Sequence, residues 1–221
     1  MPNFIKNRLI IKGKNAKEII QKHLDNVGDF DFNTIERIPD DLRIESGTRT
    51  RDGLTLYIAS LNFQKSFIEE LEAEELKEEY EGELEEILEL GKRAFENREK
   101  YGFTIWYDWC IYHWGVKWNA GETKVDGDTI EFLTAWEAPK PIIQKLAEMH
   151  KDFSFEHEWA SEDNGYVTGR DEYKNGTCVS SKKFAPKSKE AYELSFKLWG
   201  NAHKFRFNEE TKTYEYIGDF Q

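Results

Sequence analysis

The densest concentration of reactive and aromatic side chains in this 221-residue chain is Trp106-Tyr107-Asp108-Trp109-Cys110-Ile111-Tyr112-His113-Trp114-Gly115-Val116-Lys117-Trp118-Asn119. Cys110 and His113 stand three apart, so a helix would bring a thiol beside an imidazole, the first requirement of an activated nucleophile. Such a nucleophile also needs an orienting group and an oxyanion site. Asp108 is the acid near it in sequence, and on a helix it points away from Cys110. No catalytic residue is expected. Non-covalent chemistry fits the run better. Trp109, His113 and Trp118 would form a partly open aromatic pocket or a stacking platform, or else the aromatics simply cover one side of a sheet.

Metal and cofactor chemistry find little support. His23, His113, His150, His157 and His203 are scattered without H-x-x-x-H spacing, and Cys110 and Cys178 form no C-x-x-C pair, so neither a metal site nor a disulfide is expected. The chain contains no G-x-x-x-x-G-K or G-x-G-x-x-G run, so no cofactor is expected.

Charge is the other unusual property. The chain carries a net charge of −12, yet Glu69 to Glu89 alone holds twelve Glu and one Lys, Lys77, a local net of −11. Phe63, Phe67 and Leu71 follow i, i+4 spacing, and Leu76, Tyr80, Leu84, Ile87/Leu88, Gly91 and Phe95 continue one apolar stripe, the pattern of an amphipathic helix bent near Gly82. Its polar face carries Glu72, Glu75, Glu79, Glu83 and Glu86. Helix propensity accounts for abundant Glu but not for the near absence of Lys, which would supply i, i+4 pairs. Beside a plain solvated face, this leaves a surface that docks on a basic partner, with these five Glu as contacts.

Direct nucleic-acid binding is not expected. Phe132, Trp136, Phe153, Phe155 and Trp159 are aromatics that a sheet could offer to unstacked bases. However, period-2 alternation puts Phe153, Phe155, His157 and Trp159 on one face, which must pack under helices. The basic companions Lys182-Lys183 and Lys187/Lys189 are few.

The elements that position these segments come from a repeat. Lys17–Lys22 aligns without a gap on Lys140–Lys145, Asp29-Phe30-Asp31-Phe32 on Asp152-Phe153-Ser154-Phe155, and Asn7–Lys12 on Ile130–Ala135. One β-α-β unit therefore recurs at Asn7–Phe32 and Ile130–Phe155. The expected fold is α+β, a duplicated β-α-β ferredoxin-like two-layer sandwich with a helical insert and extra C-terminal strands. Residues 1–60 would form the first half, 61–120 the insert with the acidic and Trp-rich helices, and 121–221 the second half, all in one compact domain. Gly165–Tyr173 should pair with Phe153–Trp159, and His203–Asn208 with Thr213–Ile217 as a terminal hairpin. Hydrophobic residues at 38% and aromatics at 14% suffice for a core, and no apolar run approaches a bilayer span. With no apolar leader, a cytoplasmic location is expected.

The opening Met1-Pro2-Asn3, Asn7-Arg8-Leu9, Tyr107-Asp108-Trp109-Cys110, Trp114-Gly115 and Lys117-Trp118 resemble the YubB-like ferredoxin-like proteins of plasmids and bacteriophages, whose function is largely unknown. Phe4-Ile5-Lys6 departs from the family's Trp-Cys pair, and the Glu-rich insert is particular to this chain. The resemblance implies the fold and a mobile-element origin, and supplies no catalytic residues. It points to a non-enzymatic protein-interaction module whose acidic helix docks on a basic, nucleic-acid-binding host or defence-system protein as an inhibitor, of the anti-CRISPR kind for example. The alternative is a small-ligand or single-stranded nucleic-acid binder using the Trp cluster.

Overall fold

The structure, a computed structural model, describes residues 3–61 and 67–218. Its elements in chain order are β1 (Phe4–Lys12), α1 (Ala16–Lys22), α2 (Thr48–Ser60), α3 (Phe67–Glu79), α4 (Leu84–Tyr101), α5 (Trp106–His113), β2 (Gly121–Asp126), β3 (Thr129–Ala135), α6 (Lys140–Met149), β4 (Ser154–Ser161), β5 (Thr168–Lys174), β6 (Thr177–Lys183), α7 (Lys189–Trp199), β7 (Phe205–Asn208) and β8 (Thr213–Tyr216). The chain divides into two compact units, Met1–Arg37 with Tyr112–Gln221, and Ile38–Ile111.

The first unit is built on a six-stranded sheet in the order β2-β3-β1-β4-β5-β6, antiparallel throughout. β1 lies between β3 and β4, and β3 between β2 and β1, which is the split β-α-β interleaving of a ferredoxin-like fold with β5 and β6 added beyond β4. Along β1 burial alternates, with Ile5, Asn7, Leu9 and Ile11 inside. Their cross-strand neighbours Ile130 and Phe132 on β3, and Phe155, His157 and Trp159 on β4, continue the same buried face. On the other face Ala160 packs with Leu194 and Leu198 of α7. The central strand β4 is therefore covered on both sides.

The ferredoxin-like α+β fold is the one expected, and the second copy, Ile130–Phe155, folds as β3-α6-β4. The first copy needs correction. Asn7–Lys12 and Lys17–Lys22 lie in β1 and α1, but Asp29–Phe32 is no sheet strand; it makes a single bridge, Phe30 with Leu24, before a 3-10 turn at Phe32–Thr34. Side chains take two of its backbone donors, Phe30 N–H donating to Thr123 Oγ1 at 2.9 Å and Phe32 N–H to Asn119 Oδ1 at 2.8 Å, while Asp31 N–H donates to His23 O. The strand that completes the first unit is β2, which turns into β3 through Gly127 at φ 61°. β5 pairs with β4, and β7 with β8, where hairpins were expected. β6 and α7 were not foreseen.

The second unit contains α2, α3 and α4. The one bent helix expected through the acidic run is two helices, because Gly82 at φ 92° falls in the left-handed region and ends the continuity. Leu76, Tyr80, Leu84, Ile87 and Leu88 of the expected stripe gather around Leu56 and Ala73, whereas Leu71 is exposed. Phe63 and the side chain of Phe67 lie outside what is described. α2 and α4 cross backbone to backbone. A Cβ on Gly91 would stand 1.9 Å from the Gly53 carbonyl oxygen, and one on Gly53 2.4 Å from that of Ile87. Among the described residues no helix is long and apolar enough to cross a membrane.

Candidate functional site

On the helical unit, the five glutamates separate into two groups. Glu83, before the first turn of α4, and Glu86 within it are held by Arg49 of α2, whose guanidinium lies 2.6 Å from Glu83 Oε2 and 2.9 Å from Glu86 Oε1, with Glu45 at 3.5 Å. The hydrogen bond to Glu83 comes first among the causes that raise the Arg49 pKa. Glu72, Glu75 and Glu79 on α3 are exposed and have no ion-pair partner among the described residues. Lys77, the one cation in the run, is given to Glu74 at 2.6 Å. Glu83 and Glu86 also border an open groove of about 1310 Å³ with Arg93, Lys92 and Tyr57.

The Trp-rich run divides as well. Trp109 and Cys110 are buried and belong to the helical unit. Burial pushes the Cys110 thiol up to about 12, so it is no nucleophile at neutral pH. His113 and Trp118 belong to the sheet unit. The His113 Nδ1 is 3.0 Å from Glu36 Oε1, and the neighbouring Trp114 indole donates to the Glu36 carbonyl at 2.9 Å. Trp118 is 45% exposed, and Trp136, which sequence spacing had placed on a strand, is 48% exposed. The Lys117 ammonium lies 3.6 Å from the Trp118 ring centroid and 3.9 Å from that of Trp136. Trp136 adopts φ 70°, an outlying conformation for a large aromatic, with its N–H donating to Asn3 O at 2.8 Å. Nothing in local spacing joins Trp136 to Trp118; the link is Lys117.

Inside the sheet unit Asn7, His23, Asp171 and Glu158 are paired. Asn7 donates to Thr134 Oγ1 at 2.8 Å and to Ile5 O, so its carbonyl accepts from His157 Nε2 at 3.0 Å. His157 Nδ1 has no partner among the described residues, and burial lowers this imidazole to about 3. His23 and His150, at the C-terminal ends of α1 and α6, face each other with Nε2 atoms 2.9 Å apart, while His23 Nδ1 meets Thr34 Oγ1 at 2.8 Å. Burial, then the neighbouring His150 and Lys22, hold His23 near 4; burial and Lys22 lower His150. Buried Asp171 binds Lys140 at 2.9 Å, and buried Glu158 binds Lys197 at 2.7 Å and Arg170. Burial opposes ionisation of Glu158, but hydrogen bonds from Lys197 and Arg170 outweigh it and lower its pKa. No group of three or more metal-ligating side chains occurs among the described residues.

Residues 113–215 match the family model described as the ferredoxin-like domain in Api92-like protein. β1, at the centre of the sheet, lies outside the matched range. The crystal structure of a protein api92 from Yersinia pseudotuberculosis is similar at 11% identity and a TM-score of 0.41, over 84% of this chain and 99% of that one. The comparison with curated proteins gives no match. The YubB-like resemblance rests on the residues quoted for it, and what the comparisons establish is a ferredoxin-like domain similar to that of Api92-like protein.

Proposed function

We propose that this chain is a non-enzymatic protein-interaction module whose row of glutamates on α3, Glu72, Glu75 and Glu79, docks on a basic surface of a partner. One observation carries the reading: these three carboxylates are exposed without an ion-pair partner among the described residues, while Glu83 and Glu86 already hold Arg49. Like charges at i, i+3 and i, i+4 spacing weaken an isolated helix by a few tenths of a kcal/mol per pair. A basic partner relieves that repulsion, and long-range attraction speeds the encounter. A row of carboxylates competes naturally for a groove that otherwise holds phosphates. The resemblance to proteins of plasmids and bacteriophages supports a host or defence-system protein in the bacterial cytoplasm as that partner, with inhibition as the outcome.

Affinity capture from bacterial lysate, followed by mass spectrometry, tests this. The native protein retains a basic, nucleic-acid-binding protein, and the triple variant Glu72→Lys, Glu75→Lys, Glu79→Lys loses it. Equal retention by both overturns the reading. A second reading, a single-strand or small-ligand binder, is favoured by the half-exposed Trp118 and Trp136 flanking a lysine, since stacking rings beside a cation suit an unpaired strand. It predicts saturable quenching of tryptophan fluorescence by oligo-dT, abolished in Trp118→Ala.

A further inference from the structure

The acidic chain has a basic stretch that the reading above leaves unused. Residues 166–189 hold six Lys or Arg and two carboxylates. They fold as β5, β6 and the loop into α7, beside a cavity of about 380 Å³ in the sheet unit, a size at the small end of the roughly 300–1,000 Å³ of ligand pockets. Trp159, Tyr166 and Phe184 supply aromatic walls, and Lys140 and Lys183 supply charge.

These groups divide into a fixed half and an available half. Lys140 is committed: its ammonium binds Asp171 at 2.9 Å and lies 4.2 Å from the Trp159 ring centroid. That ring sits over Gly169, where a Cβ would come within 2.3 Å of it. By contrast, Lys183 is exposed and has no ion pair among the described residues. Lys187 and Lys182 stand over the rings of Tyr166 and Phe184 at 5.5 and 4.8 Å. Tyr166 is half exposed, and Thr168, also in the lining, keeps a buried hydroxyl without a partner among the described residues. Glu137 is the one carboxylate of the lining.

We infer that this cavity binds a small aromatic anion of nucleoside-monophosphate size, with the ring against Tyr166 and Phe184 and the anionic group at Lys183 and Lys187. With Lys140 held by Asp171, Lys183 in the lining and Lys187 beside Tyr166 are two cations against the one rim carboxylate, Glu137, which selects an anion. The rings and the apolar Ala138, Val167 and Pro186 select a planar, partly apolar body. The volume excludes anything much larger. The glutamate row has no part in it, so the charge-reversed triple variant retains this binding.

Ligand-observed NMR and calorimetry with 5′-AMP and 5′-UMP test the site, with adenosine and inorganic phosphate as partial probes. At least one nucleotide binds saturably, and adenosine and phosphate each bind at least tenfold more weakly. Lys183→Ala weakens nucleotide binding about tenfold, the size of a lost charge-assisted hydrogen bond. Tyr166→Ala weakens it about fivefold or more, as for lost stacking. Both residues are exposed, so unchanged circular dichroism verifies that the variants fold, and Lys212→Ala, in the β7–β8 turn, serves as a control without effect. Absence of nucleotide binding, binding of phosphate as strong as that of AMP, or affinity unchanged in both site variants overturns the proposal.

Discussion

The sheet unit and the helical unit treat charge in opposite ways. In the former, ionisable groups go inside and are matched: Glu158, 3% exposed at its side chain, with Lys197 and Arg170, and Asp171 with Lys140. In the latter the interior closes by backbone contact at Gly53 and Gly91, and its buried polar side chains are Thr50, Asn97 and Asp52, the last accepting from the Tyr80 hydroxyl at 2.9 Å. The glutamates stay in water. Buried charge in the sheet unit is consumed by the fold; on α3 charge remains available. Buried ions need partners because desolvation is costly, whereas exposed ones contribute little to stability and are free to act in recognition.

The largest effect expected from this contrast is a pH dependence that belongs to the sheet unit, which holds His23, His150 and His157. Their folded pKa values lie below the usual histidine range, near 4 for His23 and near 3 for His157. Between pH 6.5 and those values the unfolded chain binds more protons than the folded one. Stability is therefore full above pH 6.5 and falls on acidification, by up to about 1.4 kcal/mol per pH unit for each histidine that titrates. Urea unfolding at pH 7, 6 and 5 measures the slope, and His157→Gln makes it shallower.

Next comes the helix crossing. Gly91→Leu forces α2 and α4 apart and destabilises the protein by on the order of 3 kcal/mol, read from the chemical unfolding midpoint. Lys197→Ala follows. It leaves Glu158 with Arg170 alone, at a cost of about 2 kcal/mol at neutral pH, below the full figure for a buried pair because both cations are partly exposed. Since the pKa of Glu158 is lowered in the fold, its contribution is present above the usual carboxylate range and vanishes as pH falls through the folded value. The gap between variant and native protein closes in acid. Glu83→Gln with Glu86→Gln shows the smallest effect, a barely measurable shift of the unfolding midpoint, because these pairs with Arg49 are at the surface.

Much of the scaffold was legible because periodicity reports it. The alternation in Asn7–Lys12 and Ile130–Ala135 and the paired helices gave the ferredoxin-like class. Asp29–Phe32 misled because alternating Phe is also what a bridging segment needs when it buries Phe30 and Phe32; the backbone donors of those two residues go to Thr123 and Asn119, a partnership that local pattern does not contain. Turn chemistry carried signals that were passed over. Asp126-Gly127 marks the β2–β3 hairpin and Asn175-Gly176, both at positive φ, the β5–β6 one. Ser188, which accepts from Ala191 N–H, and Gly200 bracket α7. For the candidate sites, composition identified the glutamates and the tryptophans. It could not reveal that Arg49 takes Glu83 and Glu86, or that Lys117 unites Trp118 with Trp136, since both depend on tertiary pairing.

The central claim is that available charge on α3, rather than charge as such, makes the docking surface. Retention of the captured partner, compared across salt concentrations for two variants of similar charge change, tests it most directly. Glu72→Gln, Glu75→Gln, Glu79→Gln should lose at least tenfold in retention and most of its salt sensitivity, while Glu83→Gln, Glu86→Gln keeps both near native levels. Equal loss in the two variants, or none in the first, would contradict it.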